Sequence, residues 1–143
     1  MSILDINKES QRKQIRKTIW IYLILSVTAV VINKVYGVFG HGVDSPSMTW
    51  MFLYPLLGGA LFYFIIERFV PHIIKLSGYR VFCNIYNSGI ATLTFGSLLK
   101  GILNIAGTSS SYLVFFYIVG GGFLVAALIM MFIKIINQKR LHL

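Results

Sequence analysis

Four apolar stretches, Thr18 to Phe39, Met48 to Ile66, Asn84 to Ala106 and Tyr112 to Ile133, take up most of the 143 residues of this chain. A helix needs about 20 apolar residues to cross a hydrocarbon core of roughly 30 Å. All four stretches meet that length, the second with little to spare. The pattern predicts an all-α integral membrane protein, a bundle of four transmembrane helices forming a single domain over residues 1–143. A polar, basic N-terminal tail, residues 1–17, leads into it. No room is left for a second, soluble domain. Charged residues are 12% of the chain, about half the roughly 25% of a soluble domain.

The formal net charge of +9 raises the question of a nucleic-acid partner, and its distribution argues against one. No basic patch is interleaved with aromatic residues on a polar surface. Lys8, Arg12, Lys13, Arg16 and Lys17 precede the first stretch. Arg68, Lys75 and Arg80 lie between the second and third, and Lys134, Lys139 and Arg140 follow the fourth. These are eleven of thirteen basic residues, with only Lys34 and Lys100 elsewhere. Because Lys and Arg concentrate in short cytoplasmic loops, both termini and the middle loop are expected inside, as an even number of spans requires. The cluster Arg12, Lys13, Arg16 and Lys17 is also placed to contact anionic lipid headgroups, at about 1 kcal/mol per basic residue. A composition rich in Ile, Lys and Asn fits a bacterial cytoplasmic membrane.

The first stretch reads as an uncleaved span rather than a signal peptide. Its core, Ile19 to Ile32, is long for such a leader, and Asn33 and Lys34 follow it instead of a small-residue cleavage site. Trp20 and Tyr22 are expected at the inner headgroup level, with Tyr36 and Phe39 near the outer one. In the first outer loop Asp44 or Ser45 is expected to cap the next helix, with Pro46 in its first turn. Pro55 should kink the second span, and Gly58 and Gly59 make the following turn closely approachable. Glu67 and Arg68 read as a solvated ion pair at the inner boundary. Pro71 is expected to interrupt that helix, and residues 72–78 to form a short interfacial segment. Cys83, the single cysteine, permits no intrachain disulfide and reads as a buried structural thiol.

The third stretch is the least hydrophobic. Asn87, Ala91, Thr94, Ser97, Gly101, Asn104 and Thr108 recur at spacings of three and four, which puts them on one helical face. Ser88, Thr92, Gly96 and Lys100 form an adjoining stripe. Two readings follow. In one, small and hydroxyl residues pack the helix closely against its neighbours. In the other, Asn87, Thr94, Ser97, Lys100 and Asn104 line a polar path, as intramembrane polar groups often do. Lys100 either reaches up to water or pairs with Asp44. The run Gly120, Gly121 and Gly122, with Ala126 at small-xxx-small spacing from Gly122, is expected to pack on the third span.

His41, Asp44 and Ser45 are the residue types of a nucleophilic triad or a metal site. Their spacing on a glycine-rich loop guarantees no base-to-nucleophile contact, and one His with one Asp is too few for a closed metal site. Capping and loop closure account for them. The chain carries no phosphate-binding loop, no dinucleotide fingerprint and no zinc-binding helix, so no cofactor and no metal are implied. Three functions remain in order: an interaction or accessory subunit assembling through the third and fourth spans, a small oligomeric transporter or channel component, and, remotely, a membrane enzyme using the first outer loop. The partners implied are lipid and either further copies of the chain or another membrane protein.

Overall fold

The computed structural model describes residues 3–40, 42–69 and 78–141. Pro71, His72 and Lys75, and with them residues 72–77 of the expected interfacial segment, lie outside the described residues, as does His41. The chain is all-helical, with no strand among the described residues. Helices α1 (Ile3–Phe39), α2 (Pro46–Thr49), α3 (Phe62–Phe69), α4 (Tyr79–Ile105) and α5 (Leu113–Leu141) follow in order, and a π-helix (Tyr54–Leu61) runs into α3. Among the described residues four helical segments are long and apolar enough to cross a membrane: Glu9–Phe39, Pro46–Phe69, Tyr79–Ile105 and Leu113–Asn137.

The expected tail is no separate element, because α1 continues through it without a break. Its 37 residues reach about 55 Å at 1.5 Å per residue, well beyond the roughly 30 Å of a hydrocarbon core. No Gly or Pro interrupts Ile3 to Tyr36, and Lys13 pairs with Glu9 one turn back at 3.2 Å. Ile15 is buried in the same core as Ile66, which fastens the extension to the end of α3.

The second apolar segment is irregular where Pro55 sits. The turn before it is held by short-range bonds, Leu53 N to Trp50 O at 3.1 Å and Tyr54 N to Met51 O at 3.3 Å. Pro55 has no N–H to continue the ladder, and the backbone widens into the π-helix. Gly58 and Gly59 let two neighbours lie against this stretch. A methyl group at Gly58 would collide with Ile90, and one at Gly59 with the Tyr22 ring.

α4 is the central helix. One side meets the α2–π–α3 segment, and the other side packs along α5. Gly89 and Gly120 face each other across the α4–α5 contact, where an added Cβ on Gly89 would stand 3.0 Å from the Gly120 oxygen. Gly96 is likewise filled by Phe116. α5 has no comparably extensive contact with any other described helix, so it is attached mainly through α4. The contact expected through Gly122 and Ala126 is not made among the described residues. Gly121 and Gly122 have nothing within 4 Å of a would-be Cβ, Ala126 is exposed, and Gly120 and Ala127 turn inward instead.

Two contacts bring the basic segments to one end. Arg16 Nε donates to Glu67 at 3.1 Å, and the Lys134 ammonium lies against Gly78, which holds φ 95° at the start of α4. Glu67 thus pairs with Arg16 of α1, not with its neighbour Arg68. At the opposite end α4 closes in a Schellman turn, with Thr108 N to Leu103 O at 2.9 Å, Gly107 N to Asn104 O at 3.2 Å, and Gly107 at φ 68°.

Candidate functional site

The polar face of α4 is occupied from within. Near the basic end, Asn87 Oδ1 accepts from Tyr22 Oη and Tyr63 Oη, each at 2.7 Å. Two phenols on one oxygen orient the amide, and the Tyr22 and Tyr63 rings stack with centroids 5.8 Å apart. Tyr86, one residue back on α4, donates to Gly58 O at 2.7 Å, using a carbonyl of the π-helix. Its ring stacks on Phe62 at 4.2 Å. Cys83 sits below this group between Tyr63 and Tyr79. The Tyr79 hydroxyl is buried, with the Cys83 thiol as its polar neighbour.

Toward the opposite end the same face receives α2. Ser97 Oγ donates to Ser47 O at 2.7 Å. Met48, 1% exposed, fills the space that Gly101 leaves, its Cβ standing 2.6 Å from where a glycine Cβ would be. Asn104 Nδ2 donates to Ser45 Oγ at 3.1 Å. Ser45 is the N-cap residue of α2, with Pro46 next, but its hydroxyl makes no cap bond. It is held by Asn104 instead, and at 1% exposure it is sealed from any substrate.

Between these two contacts the face is open. Thr94 Oγ1 donates to its own backbone at Ile90 O, 2.8 Å away, and Ala91 is exposed. Both line a groove of about 470 Å³ between α1 and α4, floored by Met51 and Pro55. Ile21, Leu25, Ile32, Phe95 and Leu98 make its walls almost wholly apolar, and Asn87 and Tyr22 stand among them.

The adjoining stripe serves α5. Gly96 accommodates Phe116, Thr92 bonds back to Ser88 O at 2.7 Å, and Lys100 Nζ lies 5.7 Å from the centre of the Tyr117 ring. The pairing of Lys100 with Asp44 is not formed. Asp44 is exposed and rests beside Gly37, while the Lys100 ammonium is drawn to an aromatic face. Thr108 lies past the end of α4, exposed.

No protein-family model matches this chain, and no curated protein or solved structure was found similar to it.

The arrangement therefore joins Asn87, Ser97, Gly101 and Asn104 to the α1–α2–α3 side and leaves Thr94 on the groove. It separates Lys100 from Asp44. Among the described residues no group of three or more His, Cys, Asp or Glu gathers as metal ligands would. The tyrosine network is the part that the sequence pattern does not reveal. Tyr22 reads as a headgroup-level ring yet is 6% exposed, and its partner Asn87 is 65 positions away. Only the amide itself, a costly group in an apolar helix, points to a partner nearby.

Proposed function

We propose that this chain is a multi-pass membrane protein with both termini on the cytoplasmic side, and that it serves as an interaction or accessory subunit. A helix of another membrane protein docks on the outer face of α5. The observation that carries this reading is the unequal use of small and polar groups on α4 and α5. On α4 the amides, hydroxyls and glycines are largely taken up by contacts inside the chain. On α5, Gly121, Gly122 and Ala126 are turned away from every described neighbour. A glycine costs about 1 kcal/mol relative to alanine in a helix, and those two make no close contact among the described residues. Small residues at this spacing let helix backbones approach closely in lipid, and among the described residues α5 has one substantial helical neighbour. The basic end, gathering Arg16, Lys134 and their segments, supports the orientation.

Extraction in mild detergent followed by mass spectrometry of the intact complex tests this. A second protein at fixed stoichiometry, released by Gly122→Leu, is the expected result. A monomer that Gly122→Leu leaves unchanged overturns it.

One observation favours a second reading, a small oligomeric transporter or channel component. The groove holding Asn87, Ala91 and Thr94 is open rather than enclosed, so copies of the chain could close it into a path. A homo-oligomer without a second protein would favour that reading.

A further inference from the structure

Apart from the α4 face, the basic end carries a second cavity. An open groove of about 430 Å³ runs between α1 and α3. Arg12 and Arg16 line it from α1, and Glu67 and Arg68 from α3. Ile19, Trp20 and Phe64 continue it toward the apolar part of both helices. Charge and apolar surface are therefore graded in the same direction on the two walls. From Arg12 to Trp20 the rise is about 12 Å, enough to pass from the headgroup layer into the edge of the hydrocarbon.

The charges are not balanced within the groove. Glu67 is taken by Arg16 through Nε at 3.1 Å, and the Arg16 side chain still remains 69% exposed. Three guanidinium groups against one carboxylate leave an excess of positive charge beside an apolar wall. Arginine presents planar, paired donors that match phosphate oxygens, and an indole suits the boundary between headgroup and chain. Trp20 is 65% and Phe64 54% exposed, so the wall is uncovered by the chain itself. The neighbouring lysines take no part. Lys13 pairs with Glu9, and neither it nor Lys17 lines the groove.

We propose that this groove binds one anionic phospholipid, its phosphate held by Arg12, Arg16 and Arg68 and an acyl chain laid along Ile19, Trp20 and Phe64. The site rests on insertion of the chain in a membrane and is independent of docking at α5. It differs from a diffuse basic surface in drawing on two helices and in sparing the lysines.

The test uses the full chain, purified in mild detergent and exposed to mixed micelles of phosphatidylglycerol and phosphatidylcholine, with retained lipid counted by native mass spectrometry. One phosphatidylglycerol retained in preference to phosphatidylcholine is expected. Arg12→Gln and Arg68→Gln should each weaken retention roughly tenfold, the lower range for losing a charge-assisted hydrogen bond. Lys13→Gln and Lys17→Gln should leave it unchanged. Trp20→Ala keeps every charge and should still lower it. Equal losses in the lysine and arginine variants would replace the site by a general field. Equal retention of both lipids, or displacement by millimolar inorganic phosphate, would also overturn it, the latter by making the ligand a free anion. An acidic protein held there instead of lipid would do the same. Alkaline carbonate extraction of the source membranes reports insertion separately, so failure of the site and failure of the membrane reading remain distinguishable.

Discussion

Asn87 shows how one side chain organises the interior of this protein. Its Oδ1 takes hydroxyl protons from Tyr22 and Tyr63, so Asn87→Leu would leave two largely buried phenols without an acceptor. We expect a loss of about 1–3 kcal/mol from that unmet demand, read as an earlier midpoint in denaturing-detergent titration. Tyr22→Phe or Tyr63→Phe removes donor and demand together and should cost less, about 0.6 kcal/mol for a typical hydrogen bond in lipid. Wild-type stability in Asn87→Leu would show that the amide organises nothing. The ion pair of Arg16 and Glu67 is a weaker matter. With the arginine 69% exposed, Glu67→Gln should change stability by less than about 1 kcal/mol. At this scale the sequence exposes the polar residues but not their partners. Asn104 can be placed on a face by its spacing, whereas its bond to Ser45 depends on how the loop before α2 returns across 59 positions.

The elements were legible in unequal measure. Length and hydropathy locate all four apolar segments, since each is a long and nearly unbroken apolar run. Their ends are less legible. The helical start of α1 is hidden because its first part carries charge, and a charged helix extending into water leaves no apolar signature. Pro55 announces a disturbance in the second segment but not its form, a π-helix rather than a simple kink. The glycines of α5 divide by helical phase, which periodicity alone cannot assign to a neighbour. Gly120 meets α4, while Gly121 and Gly122, rotated by about 100° and 200° at 3.6 residues per turn, do not. Gly120→Leu and Gly89→Leu should therefore overpack the α4–α5 contact and cost at least about 1–3 kcal/mol. Gly121→Leu should leave the stability of the separated chain unchanged. If thermal unfolding in detergent ranks these variants in the reverse order, the α4–α5 interface is misassigned.

For the whole molecule the central claim is that the polar face of α4 is a dry joint within the chain, not a water-filled route. Its residues meet Tyr22, Tyr63, Ser45, Ser47 and Met48, and the stretch left open is walled by apolar side chains. The gathering of most basic residues into three segments is legible from the sequence alone. Whether the face is wet is not legible, because a packed polar stripe and a hydrated one have the same spacing and composition. The most direct measurement is thiol reactivity in intact membranes, with single cysteines placed in a Cys83→Ser background. Thr94→Cys and Ser97→Cys are compared with Ser109→Cys in the loop after α4, using a membrane-impermeant maleimide applied from each side. The account predicts ready labelling of Ser109→Cys and none at the two face positions. Labelling of Ser97→Cys at the rate of the loop position would contradict it.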